Sequence, residues 1–220
     1  MSALSRSFCS FKSPARSTST TRPYLHALSM GLLFGTLLIV SACSSAPPEH
    51  FYMLDAAPTN AGPIRPDAST VSIGPITVPD AVDRAQMVIR KSTSEVEQRE
   101  DRRWAEPLRN AIARALSRDL GAALPDMVTS VRSDSAVDPH PNYRVAVDFL
   151  RFDSELGAAA TIEARWRIQS DGKQVLTGQF ERREPTTGAD YADLASAHAR
   201  ALAGLSQQVA KALRTLTTPK

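Results

Sequence analysis

The sequence predicts an α/β protein: a single domain with a mixed, largely antiparallel sheet packed with two main helices. Three observations predict it. Apolar residues recur at helical spacing in two stretches, about 104–120 and 190–216. Apolar and polar residues alternate with period two along 143–149 and 162–168, and a turn signal joins the second of these to a returning strand. Read in order, the elements run β-β-β-α-(β)-β-β-β-α, a pattern suited to one sheet carrying two helices.

The first strand is expected at Phe51-Tyr52-Met53-Leu54, followed by a loop marked by Pro58, Gly62, Pro63 and Pro66. Val71 to Pro79 reads as the second strand, with Val71 and Ile73 on one face. Gly74-Pro75 interrupts it and suggests a bulge or an edge. Gln86 to Arg90 is the third. Lys91 to Arg103 mixes acids and bases with little periodicity and is expected to be a loop or an exposed hairpin. Trp104, Leu108, Ile112, Ala115, Leu116 and Leu120 outline the first helix, with Pro107 placed in its first turn and Gly121 and Pro125 as stop signals.

Met127 to Val131 is a candidate strand, and Ser133 to Asn142, with Pro139-His140-Pro141, a loop. Tyr143, Val145, Val147 and Phe149 share one strand face. Ile162, Ala164, Trp166 and Ile168 alternate with Thr161, Glu163, Arg165, Arg167 and Gln169. Asp171-Gly172 is a hairpin turn, and Val175 to Arg183 returns with Leu176 and Phe180 inward. These strands form an antiparallel meander with one solvated or partner-facing side. In the last helix Asp190 is the N-cap, Asp193 lies in the first turn, and Leu194, Ala197, Ala201, Leu202, Leu205, Val209, Leu213 and Leu216 make the apolar stripe.

Upstream, Arg6, Lys12, Arg16 and Arg22 precede an apolar run from Leu25 to Val40, and no acid lies among them. That is the n-region and h-region of a secretion signal, and at about 16 residues the run is short of the roughly 20 that a membrane span needs. Val40-Ser41-Ala42-Cys43 resembles the bacterial lipoprotein signal, the lipobox. The resemblance implies cleavage before Cys43, a thioether-linked diacylglycerol on its sulfur and an acyl chain such as palmitate on its nitrogen. The expected organisation is a signal peptide at 1–42, a lipidated tether at 43–50 and the domain at 51–220. Ser44 follows the cysteine, where an aspartate would imply retention in the inner membrane, so the resemblance implies the outer membrane.

Cleavage changes the composition. Of 26 Lys+Arg, four leave, so 22 face 23 Asp+Glu and the net charge of +3 becomes about −1. That balance argues against nucleic acid as a partner. Of the two cysteines, Cys9 leaves and Cys43 carries lipid, so no internal disulfide or free thiol is expected.

Catalytic patterns are not evident. His50, His140 and His198 have no metal-ligand spacing, and no nucleophile elbow, dinucleotide fingerprint or phosphate loop occurs. Asp80 and Asp83 read as turn chemistry rather than an acid/base pair, and His198 as a helix-surface or packed residue rather than a ligand. The expectation is a binding or structural protein with no cofactor and no metal. Arg102-Arg103-Trp104-Ala105-Glu106-Pro107-Leu108 gathers cations, an aromatic and a helix start. Trp104 reads as a core anchor, and Arg103, Trp104 and Glu106 as candidates for a contact surface. Arg165 and Arg167 on the polar face of the meander, with Arg182, are the next candidates.

Val71 to Pro79, Val82-Asp83-Arg84-Ala85-Gln86-Met87-Val88-Ile89-Arg90, and Arg103 to Leu108 occur in this order. Together with the strand from Tyr143 to Phe152 and the one around Trp166, they resemble the ABC-type transport auxiliary lipoproteins, the group of the paraquat-inducible C and YmbA-like proteins. Ala85 departs from a pattern that commonly has proline there. The resemblance implies a non-catalytic lipoprotein on the periplasmic face of the outer membrane. Its implied partners are a periplasm-spanning protein with mammalian-cell-entry (MCE) domains and an inner-membrane permease. The implied task is lipid transport between the membranes in support of envelope integrity, with homo-oligomerisation. Only Cys43 carries over as a defined functional position. A lipoprotein that assembles or plugs an outer-membrane β-barrel is the alternative, and an envelope hydrolase a third reading.

Overall fold

A computed structural model describes residues 48–54, 68–131 and 140–217. The signal peptide, Cys43, the tether before Pro48 and the expected loops at 55–67 and 133–139 lie outside the described residues. Among the described residues, eight strands form one mixed sheet and two helices pack on it. The strands are β1 (His50–Tyr52), β2 (Ser69–Thr77), β3 (Gln86–Arg90), β4 (Val96–Trp104), β5 (Met127–Val131), β6 (Tyr143–Glu155), β7 (Ala159–Ser170) and β8 (Lys173–Pro185). The helices are α1 (Leu108–Ala123), between β4 and β5, and α2 (Tyr191–Thr217), after β8.

β6 organises the sheet. One edge pairs antiparallel with β7, which pairs antiparallel with β8. The other edge is shared: β2 runs parallel to its first half, and β3 joins it at Ile89 opposite Ser154. β2 continues outward to β5, whereas β3 continues to β4 and then to β1. The expected bulge in β2 is present, where Gly74, at φ 125°, and Pro75 occupy a register shift between Ile73 and Ile76.

β6 also carries a bulge. Val145, Val147 and Phe149 face the core, then Leu150 is inserted, and Phe152 and Ser154 take over the inward positions. An extra residue reverses the alternation, so a 13-residue strand keeps one side in the core throughout. Asp171 and Gly172, with φ of 49° and 73°, make the predicted turn into β8. In β8, Gly178 lies opposite Trp166, whose indole crosses it. A Cβ on Gly178 would sit 2.3 Å from the ring.

The alanine-rich face of α2 lies over β7 and β8 and also meets α1. Leu194, Ala197, Ala201, Leu202, Leu205, Val209 and Leu213 are buried in the same core as Phe152, Ile162, Trp166 and Ile168. The start of α2 is a capping box: the Asp193 amide donates to Asp190 Oδ1 at 2.7 Å, and Asp193 Oδ2 accepts from the Asp190 amide at 3.5 Å. Among the described residues, no helix is long and apolar enough to cross a membrane.

Two expectations are corrected. Trp104 ends β4 rather than beginning the helix. Its amide donates to Ala85 O at 2.7 Å and the Ala105 amide to Tyr52 O at 2.9 Å, which holds the backbone in the sheet. Pro107 is the N-cap, and it disfavours helical geometry at Glu106, immediately before it. Gly121 is not a stop either. The helix runs through it to Ala123, and Gly121 admits the Thr129 hydroxyl, which donates to Ser117 O at 2.9 Å.

Candidate functional site

The turn from β4 into α1 forms an elbow, and a groove of about 390 Å³ runs along it. Asp83, Arg84 and Ala85, before β3, supply one wall. Arg103 to Leu108 supply the other, and Phe51 of β1 closes an end. The local sequence explains the shape. β4 must be held in the sheet to its last residue, Pro107 forces a sharp entry into α1, and Leu108 turns immediately into the core at 1% exposure.

Trp104 is the floor and anchor of this elbow. It is 5% exposed and meets Phe152 edge-on at 6.4 Å and His198 edge-on at 6.0 Å. The rim is ionic. Arg103 pairs with Glu49 at 3.1 Å, Arg109 pairs with Asp83, and Arg114 Nε donates to Glu106 Oε1 at 3.0 Å. Glu106 therefore reaches two turns along α1 instead of sitting in its first turn. Arg84 donates to Gln98 across the hairpin. The arrangement offers an apolar cleft whose rim arginines are ion-paired or, for Arg84, hydrogen-bonded to a neutral amide.

Beneath the elbow lies a buried polar pair. His198, fully buried on α2, has its Nε2 2.8 Å from Ser154 Oγ and its ring stacked on Phe152 at 4.1 Å. Burial pulls its pKa down to about 3, against a small opposing pull from Asp153, so the ring is neutral at physiological pH. His198 is thus the packed residue that the sequence favours over a ligand. On the opposite face of β6, Asp153 accepts from Arg90 at 2.8 Å and from Arg151 at 2.6 Å. Burial raises its pKa, but the two guanidinium bonds outweigh it, and the net direction is down.

The elbow thus brings Arg103, Trp104 and Glu106 together, though Trp104 contributes packing rather than an exposed ring. Arg165 and Arg167 are not part of it. They project from the solvated face of β7, opposite Gln179 and Thr177 of β8. Sequence reasoning about sites missed Phe51, Asp83 and Arg84. The signal was available, because the 82–90 segment and the 103–108 segment carry the family resemblance together, and the groove is where the two meet.

By sequence, the family described as the ABC-type transport auxiliary lipoprotein component matches residues 52–210. Comparison with curated proteins gave no match. Two solved structures share the fold. A crystal structure of an uncharacterized protein superposes with a TM-score of 0.62 at 18% identity, covering 76% of this chain and 99% of the other. A Xanthomonas campestris protein superposes with a TM-score of 0.57 at 18% identity, covering 77% and 99%.

Proposed function

The chain belongs to the ABC-type transport auxiliary lipoprotein family, and from that premise we propose that it is the lipid-anchored docking subunit of an MCE-type lipid transport system. Membership makes it a membrane-anchored lipoprotein associated with an ABC transporter. The reading goes further. Cys43 carries the lipid, residues 1–42 are removed as the signal peptide, residues 43–50 are the tether, and the domain stands on the periplasmic face of the outer membrane. A periplasm-spanning MCE-domain protein, fed by an inner-membrane permease, docks on the domain, which has no catalytic role and acts as a homo-oligomer.

The observation that carries this reading is the family match over nearly the whole described domain. The fold gives it a mechanism. A cohesive sheet and two helices hold two outward surfaces in fixed geometry: the elbow groove with Arg103 and Glu106, and the solvated face of β7 with Arg165 and Arg167. Three acyl chains at Cys43, worth about 0.8 kcal/mol per buried methylene, would make the attachment effectively permanent. Deleting the gene is expected to sensitise the envelope to membrane-perturbing agents, with rescue by the wild-type gene. A stably produced Cys43→Ala protein is expected to leave the outer-membrane fraction and to fail in rescue. Normal fractionation of Cys43→Ala would overturn the anchor, and an unchanged envelope barrier in the deletion strain would overturn the transport role.

A further inference from the structure

β1 presents a feature that the fold does not require. Phe51 is 59% exposed and Met53 51% exposed, more than any other large apolar residue among those described except Val96, which equals Met53. They are two positions apart in extended chain and so share a side. Tyr52, between them, turns inward instead and meets the Tyr191 ring at 6.0 Å. The inward residue therefore does the packing, and the outward pair leaves a flexible thioether and an aromatic ring in water. A singly exposed apolar side chain is ordinary. Two such side chains, one on the edge strand β1 and one immediately after it, are not explained by folding.

Their position in the chain names the occupant. Seven residues lie between Cys43 and Phe51, and the eight steps from one to the other span at most about 29 Å fully extended. The chain joins the sheet at His50, which pairs with Arg102 of β4, so the slack available to the anchor is shorter still. We propose that Phe51 and Met53 insert into the interfacial layer of the bilayer that holds the Cys43 lipid, docking the β1 end of the domain on the membrane. The inference rests on the anchor assigned to Cys43. An aromatic and a flexible apolar side chain suit that layer, where apolar groups enter the boundary of the headgroups and acyl chains. The ionic rim decides the lipid preference. Arg103 is matched by Glu49, Arg109 by Asp83 and Arg114 by Glu106, and Arg84 is hydrogen-bonded to Gln98, so the exposed apolar pair drives insertion in zwitterionic and anionic bilayers alike. The domain is thereby oriented as well as tethered. β7 and β8 stand at the other end of the hydrogen-bonded series that runs from β1 through β4, β3 and β6.

The test uses full-length lipoprotein, acylated at Cys43 and reconstituted in vesicles. The two native tryptophans, Trp104 and Trp166, are each 5% exposed and lie within the core. A Phe51→Trp variant adds one indole at the proposed contact, and Val175→Trp, at a 40% exposed position of β8, serves as the distant control. In vesicles of lipid brominated near the top of the acyl chain, the Phe51→Trp indole is expected to lose most of its emission, equally in zwitterionic and anionic bilayers. The Val175→Trp protein is expected to lose none. Vesicle-bound, acylated protein with no quenching at Phe51→Trp overturns the proposal and leaves the anchor intact. Shielding of that indole from aqueous quencher without bromolipid quenching also overturns it, by assigning the patch to a second copy or another protein. Cys43 found unacylated in the native protein overturns anchor and insertion together.

Discussion

The meander of β6, β7 and β8 and the elbow of β1, β4 and the start of α1 are built on different principles. The meander pairs long strands over a dozen residues, keeps one face apolar, and lays α2 along it. Its cohesion is spread over many buried side chains. The elbow is assembled from a three-residue parallel strand, a displaced register in β4 and a proline-forced turn, and its polar side chains stand at the rim. One buried ring, Trp104, ties it to the meander core through Phe152 and His198. The difference teaches where stability and recognition reside. Cohesion comes from the apolar face of the regular half, and outward surface comes from both halves, the solvated β7 face with Arg165 and Arg167 and the groove of the elbow.

Trp104→Ala is the severest test of this division, because Trp104 is the elbow's largest buried side chain. A loss of about 3–5 kcal/mol in denaturant unfolding is expected. A loss below about 1 kcal/mol would show that the elbow is held by its ionic rim. In the meander, Gly178→Ala puts a methyl into the Trp166 indole and is expected to cost about 1–3 kcal/mol. A neutral result would mean that the strand pair is loose there.

His198 links the two regions, and its titration has a definite sign. Its folded pKa is about 3, below the unfolded value near 6.5, so the unfolded chain binds the proton first. Stability is expected to fall by about 1.4 kcal/mol per pH unit below about 6.5, or roughly 2 kcal/mol by pH 5. A His198→Phe, Ser154→Ala double variant removes both the titration and the orphaned hydroxyl, and should flatten that profile. An unchanged acid profile in the double variant would place the sensitivity elsewhere. Asp153 and Glu184 keep carboxyl pKa values below the usual range and lose their contribution only at still lower pH. Asp190→Ala, which removes the cap of α2, is expected to cost about 1 kcal/mol. Arg103→Ala should cost less than about 1 kcal/mol, since its pair with Glu49 is solvated. A larger loss would make the rim structural.

Legibility divided along the same line. The meander, its Asp171-Gly172 turn and α2 could be read because period and burial agree: along 161–169 of β7, Ile162, Ala164, Trp166 and Ile168 are apolar and buried, and the residues alternating with them are polar. β4 could not be read as a strand. Its charges alternate on both faces, and neighbours satisfy them at two-residue spacing, as in Arg99 with Glu97 at 2.5 Å and with Asp101 at 3.5 Å. An exposed hairpin was the better of the two expectations for that stretch. The spacing of Trp104 from Leu108 fits a helix. Two backbone bonds, to Ala85 and Tyr52, decide otherwise, and they are contacts that no local pattern announces. The elbow's candidates were legible as types, a cluster of cations around an aromatic. That Asp83 and Arg84 complete it depends on β3 pairing with β4.

The proposed docking role, between the outer membrane and a transport assembly, is open to direct test. The most direct measurement is affinity purification of the Cys43-acylated protein from gently solubilised envelopes, with the bound proteins identified by mass spectrometry. The account predicts recovery of an MCE-domain protein and its permease, diminished when Arg165 and Arg167 are both changed to glutamate. Recovery of an outer-membrane β-barrel protein in place of the MCE-domain protein would contradict it.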